Sequence, residues 1–573
     1  VEDNGECGKN LEKPEVISKT GEIIIMLQFS EPPRVEINPN ECVPLVAMVY
    51  FKANEPATAE IEIDDGRKKR VVNYGPDKNP KNGLPIIGMR ADTEHKISVT
   101  ARDESGKSSD TVELSYRTPH LPVDAAAIPR FSLETSNAED MEPGFTLLSI
   151  RRRPVMRAIW MTQKQAVFQN RWSLLVAIDE EAEVVWYYIA DSRIAGVHQL
   201  QNGNLFFHHV NFRSIEMDMC GNIINQFHAT NRPWGPVENS IGIEAESLHH
   251  QPHEMPNGNF LALTANAKEI ENYYTSEEDP DAPRATQKVV GDTIVEFTPE
   301  GDIVWNWNTF DYLDPMRIGY QLLDTYWHTR GFPNHLDWTH GNGVTYDHHD
   351  DSIIVSLRHQ DAIIKIDRKT KEIIWILGDP AGWEGELKDK LLKPTHDLRW
   401  HYHGHNPRVT GENQFVMYDN GICRALPFHG PSAAPHECFS RAIEYQIDPD
   451  KMEVSEVWVS SSDESEDRVI SWAMGDAHRL PQTDNMLVID SFCTPVGPAL
   501  NRLETVTISD LTWNSWNRSE WHPNDLATWA RIREMKRDGD REIVFQVRVD
   551  NEHDIVGWEV FGGARVKSLY QAT

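Results

Sequence analysis

At 573 residues the chain is long enough for a large core plus a smaller module, and 25% charged with 39% hydrophobic residues places it among globular proteins. Its 56 Lys and Arg stand against 89 Asp and Glu, a formal net charge of −33, which excludes a nucleic-acid partner held by clustered basic side chains. An anionic ligand therefore needs a positive pocket set inside a negative surface.

Residues 1–120 read as short alternating strands: Glu22 to Phe29, Val43 to Phe51, Ala57 to Ile63, His95 to Ala101 and Asp110 to Tyr116. Turns such as Tyr74–Gly75–Pro76–Asp77 separate them, and this spacing is that of an immunoglobulin-like β-sandwich. Residues 121–144, following Pro119, are expected to link it to a second domain over 145–573.

That second domain repeats. An apolar strand, a charged or Gly turn and a strand with Trp or Phe recur at 175–188, 215–227, 295–307, 364–377 and 443–459, with a worn sixth copy at 541–547. A second hairpin, often built on Asn-Gly, recurs at 200–210, 255–265, 346–356, 409–419 and 480–490. Two hairpins per unit and about six units predict an all-β, six-bladed β-propeller behind the sandwich, with its Trp residues packed between blades. No apolar run approaches membrane-span length. Val1 is read as the start of a mature chain whose signal peptide has been removed. The six cysteines form no CxxC knuckle, and their wide spacing fits an oxidising compartment. Cys7 with Cys42 and Cys423 with Cys438 are candidate bridges; six reduced thiols are the alternative.

The repeat offers a test for chemistry, because innermost propeller strands present equivalent positions to one channel. His250 lies seven residues before Asn257, His405 seven before Glu412 and His340 seven before Asp347, so three histidines share one phase. Arg358 closes the strand after His340 and has the donor fork to grip a tetrahedral oxyanion. His359, Asn342, Asn420, Arg424 and His249 are further candidate substrate contacts, each with packing or hydrogen bonding between blades as the plain alternative. A neutral imidazole attacks sulfur or phosphorus, cations stabilise the transferring oxyanion, and a second histidine moves a phenol proton. No P-loop or Gly-rich nucleotide turn is present, so no nucleotide cofactor is expected. Competing readings are a metalloenzyme using Asp347, Asp350 and Asp351 with histidines, a polysaccharide lyase or other sugar-acting propeller, and a non-catalytic scaffold that binds a partner on its rim. We expect no metal.

The runs SLHHQPHEMPNGNFLALT (247–264), LDWTHGNGVTYDHHDDSIIVSLRHQDAIIKID (336–367) and HGHNPRVTGENQFVMYDNG (403–421) resemble the bacterial arylsulfate sulfotransferases that use no nucleotide sulfate donor. The resemblance extends over about 145–573. It implies a six-bladed, periplasmic or secreted homodimer that takes a sulfuryl group from a phenolic sulfate and passes it to a phenol acceptor by a ping-pong route. It aligns His405 with the nucleophile, and His340, Arg358 and His250 with the residues that hold the sulfuryl group and shuttle the proton. It also implies a disulfide at Cys423–Cys438.

Overall fold

A computed structural model describes residues 15–17, 23–155, 162–494 and 527–570, apart from 211, 233–236, 324–325, 431, 434–436, 463–464, 466–467 and 554. Two compact units divide the chain, one ending at Leu121 and the other beginning at Pro122.

In the first unit, alternation builds two antiparallel sheets of three and four strands, apart from the two-stranded pair of Glu15–Ile17 and Ile23–Ile25. Thr58–Asp64 buries Ala59, Ile61 and Ile63 at every second position and lies between Lys69–Tyr74 and Glu94–Arg102, with Val112–Arg117 outermost. Phe29–Ile37, Ala47–Ala53 and Leu84–Ile86 form the second sheet. The strand expected over Glu22 to Phe29 is two strands, Ile23–Ile25, which pairs with Glu15–Ile17, and Phe29–Ile37. Pro32 and Pro33 donate no ladder hydrogen bonds, and Phe29–Ile37 accommodates them by shifting register twice, between Phe29, Glu31 and Arg34. Leu84–Ile86 is three residues long and Lys69–Tyr74 leaves most of its side chains partly or fully exposed, so neither carries a periodic signal.

The second unit contains six open sheets, each with an antiparallel meander of at least four strands. The first sheet joins both ends of the unit: Phe145–Pro154 pairs with Ser173–Ile178 on one side and with Val556–Val566 on the other. Sheets two to six begin with Ile194–Gln199, His249–Glu254, Gly341–Asp347, His405–Gly411 and Asp476–Arg479. Those five strands and Val556–Val566 adjoin one another in a cycle. The stretch 121–144, expected as a linker, carries the strand Arg130–Ser136, which is the outermost strand of the sixth sheet through pairing with Ile543–Asp550. Its partner is more than 400 residues away in sequence, and no local pattern announces such a pairing. Among the described residues no helix is long and apolar enough to cross a membrane.

Tryptophans tie the first sheet to the second, the third to the fourth and the fourth to the fifth. Trp186 Nε1 donates to the Met219 carbonyl (2.8 Å), Trp305 Nε1 to Arg368 (2.7 Å) and Trp307 Nε1 to Lys371 (3.1 Å). Trp375 stacks on Phe415 of the following sheet, with ring centroids 5.8 Å apart and planes 14° apart. An indole in this setting gains apolar burial and satisfies its one donor on a neighbouring turn, which explains its recurrence among the repeats. Trp375→Ala is expected to cost about 3–5 kcal/mol, measured as a lowered urea midpoint for the second unit; an unchanged midpoint would show that the stack carries little.

Candidate functional site

Three consecutive sheets deliver the phased histidines to one place. His249 and His250 open the first strand of the third sheet, His340 directly precedes that of the fourth, and His405 opens that of the fifth. In each strand the ladder register shifts beside the histidine: between His249 and His253, Gly341 and Gly343, and His405 and Arg408. A bulge there bends the strand and re-aims the side chain. His250 (φ 58°), His340 (φ 44°) and Asn406 (φ 51°) occupy the left-handed region, strain of about 1–3 kcal/mol each that neighbouring contacts must offset. The strands pack so closely that a Cβ on Gly343 would lie 2.6 Å from Asn406 Cα, so only glycine fits there. The His250 ring centroid lies 5.4 Å from His340 and 6.1 Å from His405. All three line a cavity of about 400 Å³, with His249, Asn342 and Arg358.

The hydrogen bonds define which nitrogen of His405 and of His340 is free. His405 Nδ1–H donates to the Gly475 carbonyl (2.8 Å), which leaves Nε2 with its lone pair. Burial lowers this imidazole to a pKa of about 4, so it is neutral at pH 7. His340 Nδ1–H donates to Asp337 Oδ2 (2.5 Å), again freeing Nε2. Burial, then Arg358, holds His340 well below the usual imidazole range, while burial pushes Asp337 up to about 6. His249 Nε2 lies 3.0 Å from Asp292 Oδ1, and its Nδ1 lies 2.8 Å from His250 Nδ1. One of the two Nδ1 atoms donates to the other, so the His250 tautomer is coupled to that of His249. Burial opposes the Asp292 charge, yet His249, Thr339 and the Gly341 amide hold the carboxyl below its usual range.

Cations surround these rings. Arg358 lies in the cavity wall and donates from Nη1 to the His403 carbonyl (3.0 Å) and from Nη2 to Gln321 Oε1 (2.9 Å) and the Trp472 carbonyl (3.1 Å). It therefore contributes a positioned charge more than a loose fork. Arg151, Arg153, Arg193 and Arg330 line the same cavity, in which Glu559 is the carboxylate among the described lining residues. A local positive pocket inside a chain of net charge −33 is what the bulk composition required of an anion site. Sequence phase did not reveal these arginines, because they come from the first sheet, the start of the second and a connection. The aromatic wall is Tyr326, 4.5 Å from His340, and Phe561, 5.4 Å from His405, centroid to centroid. Asp337, three residues before His340 in the DWTH run, was legible as a neighbour but not as a partner.

His359, Asn420 and Arg424 sit outside the cavity lining. His359 is buried, and its Nδ1–H donates to the Asp337 carbonyl (2.7 Å), with its ring 4.6 Å from His340. Asn420 donates to the Ser471 (3.0 Å) and Met474 (3.0 Å) carbonyls and accepts from Arg358 (3.4 Å), so it braces the arginine. Arg424 is a correction: it packs 4.1 Å over the Phe439 ring and donates to the Phe439 carbonyl (2.6 Å), away from the cavity lining. Asn342 donates to the Gly404 carbonyl (2.7 Å), while its buried Oδ1 has no partner among the described residues. Asp347 and Asp350 both pair with Lys365 (2.9 and 2.8 Å), and Asp351 lies 3.4 Å from Arg368, so the turn acids are held by cations. Asp337, His340 and His359 offer three atoms close enough to share a metal ion. Cys423 and Cys438 are both buried and free in the structure, which corrects the bridge implied by the resemblance; Cys42 is free and exposed, and Cys7 lies outside the described residues.

The arylsulfotransferase (ASST) family matches residues 132–555, and the arylsulfotransferase Ig-like domain matches residues 34–119. The chain belongs to the arylsulfotransferase family. It is 30% identical over 250 residues to an arylsulfate sulfotransferase AssT of Escherichia coli O6:H1 (36% of this chain, 39% of that one). To the AssT of Lelliottia amnigena it is 29% identical over 210 residues (30% of this chain, 34% of that one). These alignments thus span little more than a third of each relative. A cobalt-substituted Synechocystis apocarotenoid oxygenase aligns at TM-score 0.33 and 9% identity over 77% of this chain and 98% of that one, too low to carry an argument. Membership of the arylsulfotransferase family does not favour the sugar-acting or scaffold readings.

The tautomers are directly observable. ¹⁵N NMR of the imidazoles is expected to show His405 neutral and protonated on Nδ1 from pH 5 to 8; a titration centred near the ordinary 6.5 would show a solvated ring.

Proposed function

We propose that this arylsulfotransferase carries a sulfuryl group from a phenolic sulfate ester to a phenol by a two-step, ping-pong route through His405. The observation that carries the reading is the His405 tautomer: a neutral ring whose Nδ1–H is spent on the Gly475 carbonyl and whose Nε2 lone pair is available at the cavity.

In the first step Nε2 attacks sulfur, an N–S bond forms, the S–O(aryl) bond breaks and the phenolate leaves. The ring gains positive charge, which the Gly475 carbonyl accommodates through Nδ1–H. That charge makes the imidazole a good leaving group in the second step. There the acceptor oxygen attacks sulfur, its proton passes to His340 Nε2, and the N–S bond breaks. The imidazolium so formed faces the Asp337 carboxylate and returns its proton to the next departing phenolate. Arg358 supplies fixed positive charge beside the transferring oxygens, and His250, oriented through His249 and Asp292, holds a third ring against them. In this reading the six sheets whose first strands form a cycle are the blades of a propeller, and the cavity is the mouth of its channel. A periplasmic or secreted homodimer completes the proposal, to be checked by fractionation and by light scattering.

With 4-nitrophenyl sulfate as donor and phenol as acceptor, His405→Ala is expected to lose at least about 10⁴-fold in transfer with unchanged circular dichroism. Full activity in that variant removes His405 from the mechanism. Asp337 supports His340 only when ionised, so activity is expected to fall as pH drops through about 6. Asp337→Asn should lower the rate about 10²-fold or more and abolish that acid limb. A metal-dependent alternative rests on the Asp337, His340 and His359 grouping. Exhaustive dialysis against EDTA is expected to leave the rate intact, and a loss restored by one added metal would favour that alternative.

A further inference from the structure

The cavity holds more positive charge than one sulfate ester needs. Arg151, Arg153, Arg193, Arg330 and Arg358 line it, against Glu559 among the described residues. Even with Asp292 and Asp337 behind the histidines counted, guanidiniums outnumber carboxylates by two. An aryl sulfate monoester brings a single negative charge, for which Arg358 and the three rings already provide.

The surplus is localised. Glu559 is shared, pairing with Arg153 Nε and with Arg193 Nη2 (3.2 Å). Arg193 Nε is buried without a partner among the described residues. Arg151, 7% exposed, spends Nε on the Ile194 carbonyl (2.6 Å), sets Nη1 3.7 Å from the Met474 sulfur and pairs with no carboxylate among the described residues. Its guanidinium lies 4.4 Å over the Phe561 ring, the same ring that neighbours His405 at 5.4 Å and His250 at 6.0 Å. Burial and the adjacent Arg193 both disfavour the Arg151 charge. Two neighbouring buried cations, of which Arg193 alone has a share in a carboxylate, are costly unless a ligand anion completes the pairing.

We propose that the aryl group handled here carries a second anionic substituent, of the carboxylate class, seated on Arg151 and Arg193 while the sulfuryl group lies against His405 and Arg358. This rests on the sulfuryl-transfer reading for the identity of the first group. The planar fork of a guanidinium matches a carboxylate in two-point contact, and Phe561 offers an apolar face for the ring between the two charges. The substrate class is then a phenolic acid and its sulfate ester, and plain phenols are poor substitutes.

The test separates binding from turnover. Calorimetric titration of the full chain with 3-hydroxybenzoate, 4-hydroxybenzoate and 4-hydroxyphenylacetate, each against its methyl ester, measures the preference without chemistry. At least one acid is expected to bind tenfold or more tighter than its ester. Arg151→Met should bring that ratio close to one, Arg151→Lys should keep part of it, and Arg193→Met serves as the second variant should Arg151→Met fail to fold. Esters that bind as tightly as every acid to the wild-type chain overturn the proposal. The same compounds as acceptors of 4-nitrophenyl sulfate report on the reaction itself. Tight binding of an acid without any transfer upholds the subsite and overturns the activity, whereas transfer without preference for acids does the reverse.

Discussion

Removal of water from a cavity built of charged and titratable groups is the constraint on which the rest of the site depends. Burial at this depth disfavours the charged imidazole, so His405, with a carbonyl on Nδ1, is neutral, and His340 stays well below the usual imidazole range even with the Asp337 carboxylate behind it. Neutrality is what makes an imidazole a nucleophile or a base. The same desolvation magnifies the field of the five lining arginines, which would be weak in water. Reactivity and charge selectivity thus have one physical origin.

The scaffold has to position those groups without yielding to their mutual repulsion. It does so by layering. Indoles on the later strands bond to turns of the next sheet, and the first strands approach one another closely enough to demand glycine at Gly343 and, at Gly196 (φ 72°), a backbone turn over Gln251. Register shifts at the start of three first strands bring His250, His340 and Asn406 into left-handed geometry. Pairing of Phe145–Pro154 with Val556–Val566, and of Arg130–Ser136 with Ile543–Asp550, ties the two ends of the unit into neighbouring sheets. Strain at the histidines is therefore held by long-range pairing far from them.

Much of this was legible because it is local. Hairpin turns, apolar alternation and the recurrent Trp mark strands wherever they fall, and the shared spacing of His250, His340 and His405 from their turns follows from equivalent strands having equivalent lengths. The strand Arg130–Ser136 was not legible, since its partner lies at the other end of the chain. Phe29–Ile37 was obscured by two prolines that register shifts absorb. Arg424 carried the right chemistry for an anion contact, and its φ of 47° and its stacking on Phe439 direct it elsewhere.

By itself the sequence determined an all-β chain with a sandwich-like first module, a repeated hairpin unit and three histidines in one phase, because periodicity and turn chemistry act over a few residues. Tertiary structure alone decided which groups share the cavity. Arg151, Arg193, Arg330, Tyr326 and Phe561 come from separate parts of the chain and have no common spacing, and the Gly475 carbonyl that fixes the His405 tautomer reaches its ring only after the sheets assemble. Spacing along a strand can align equivalent residues, but it cannot specify which charges are taken out of water together.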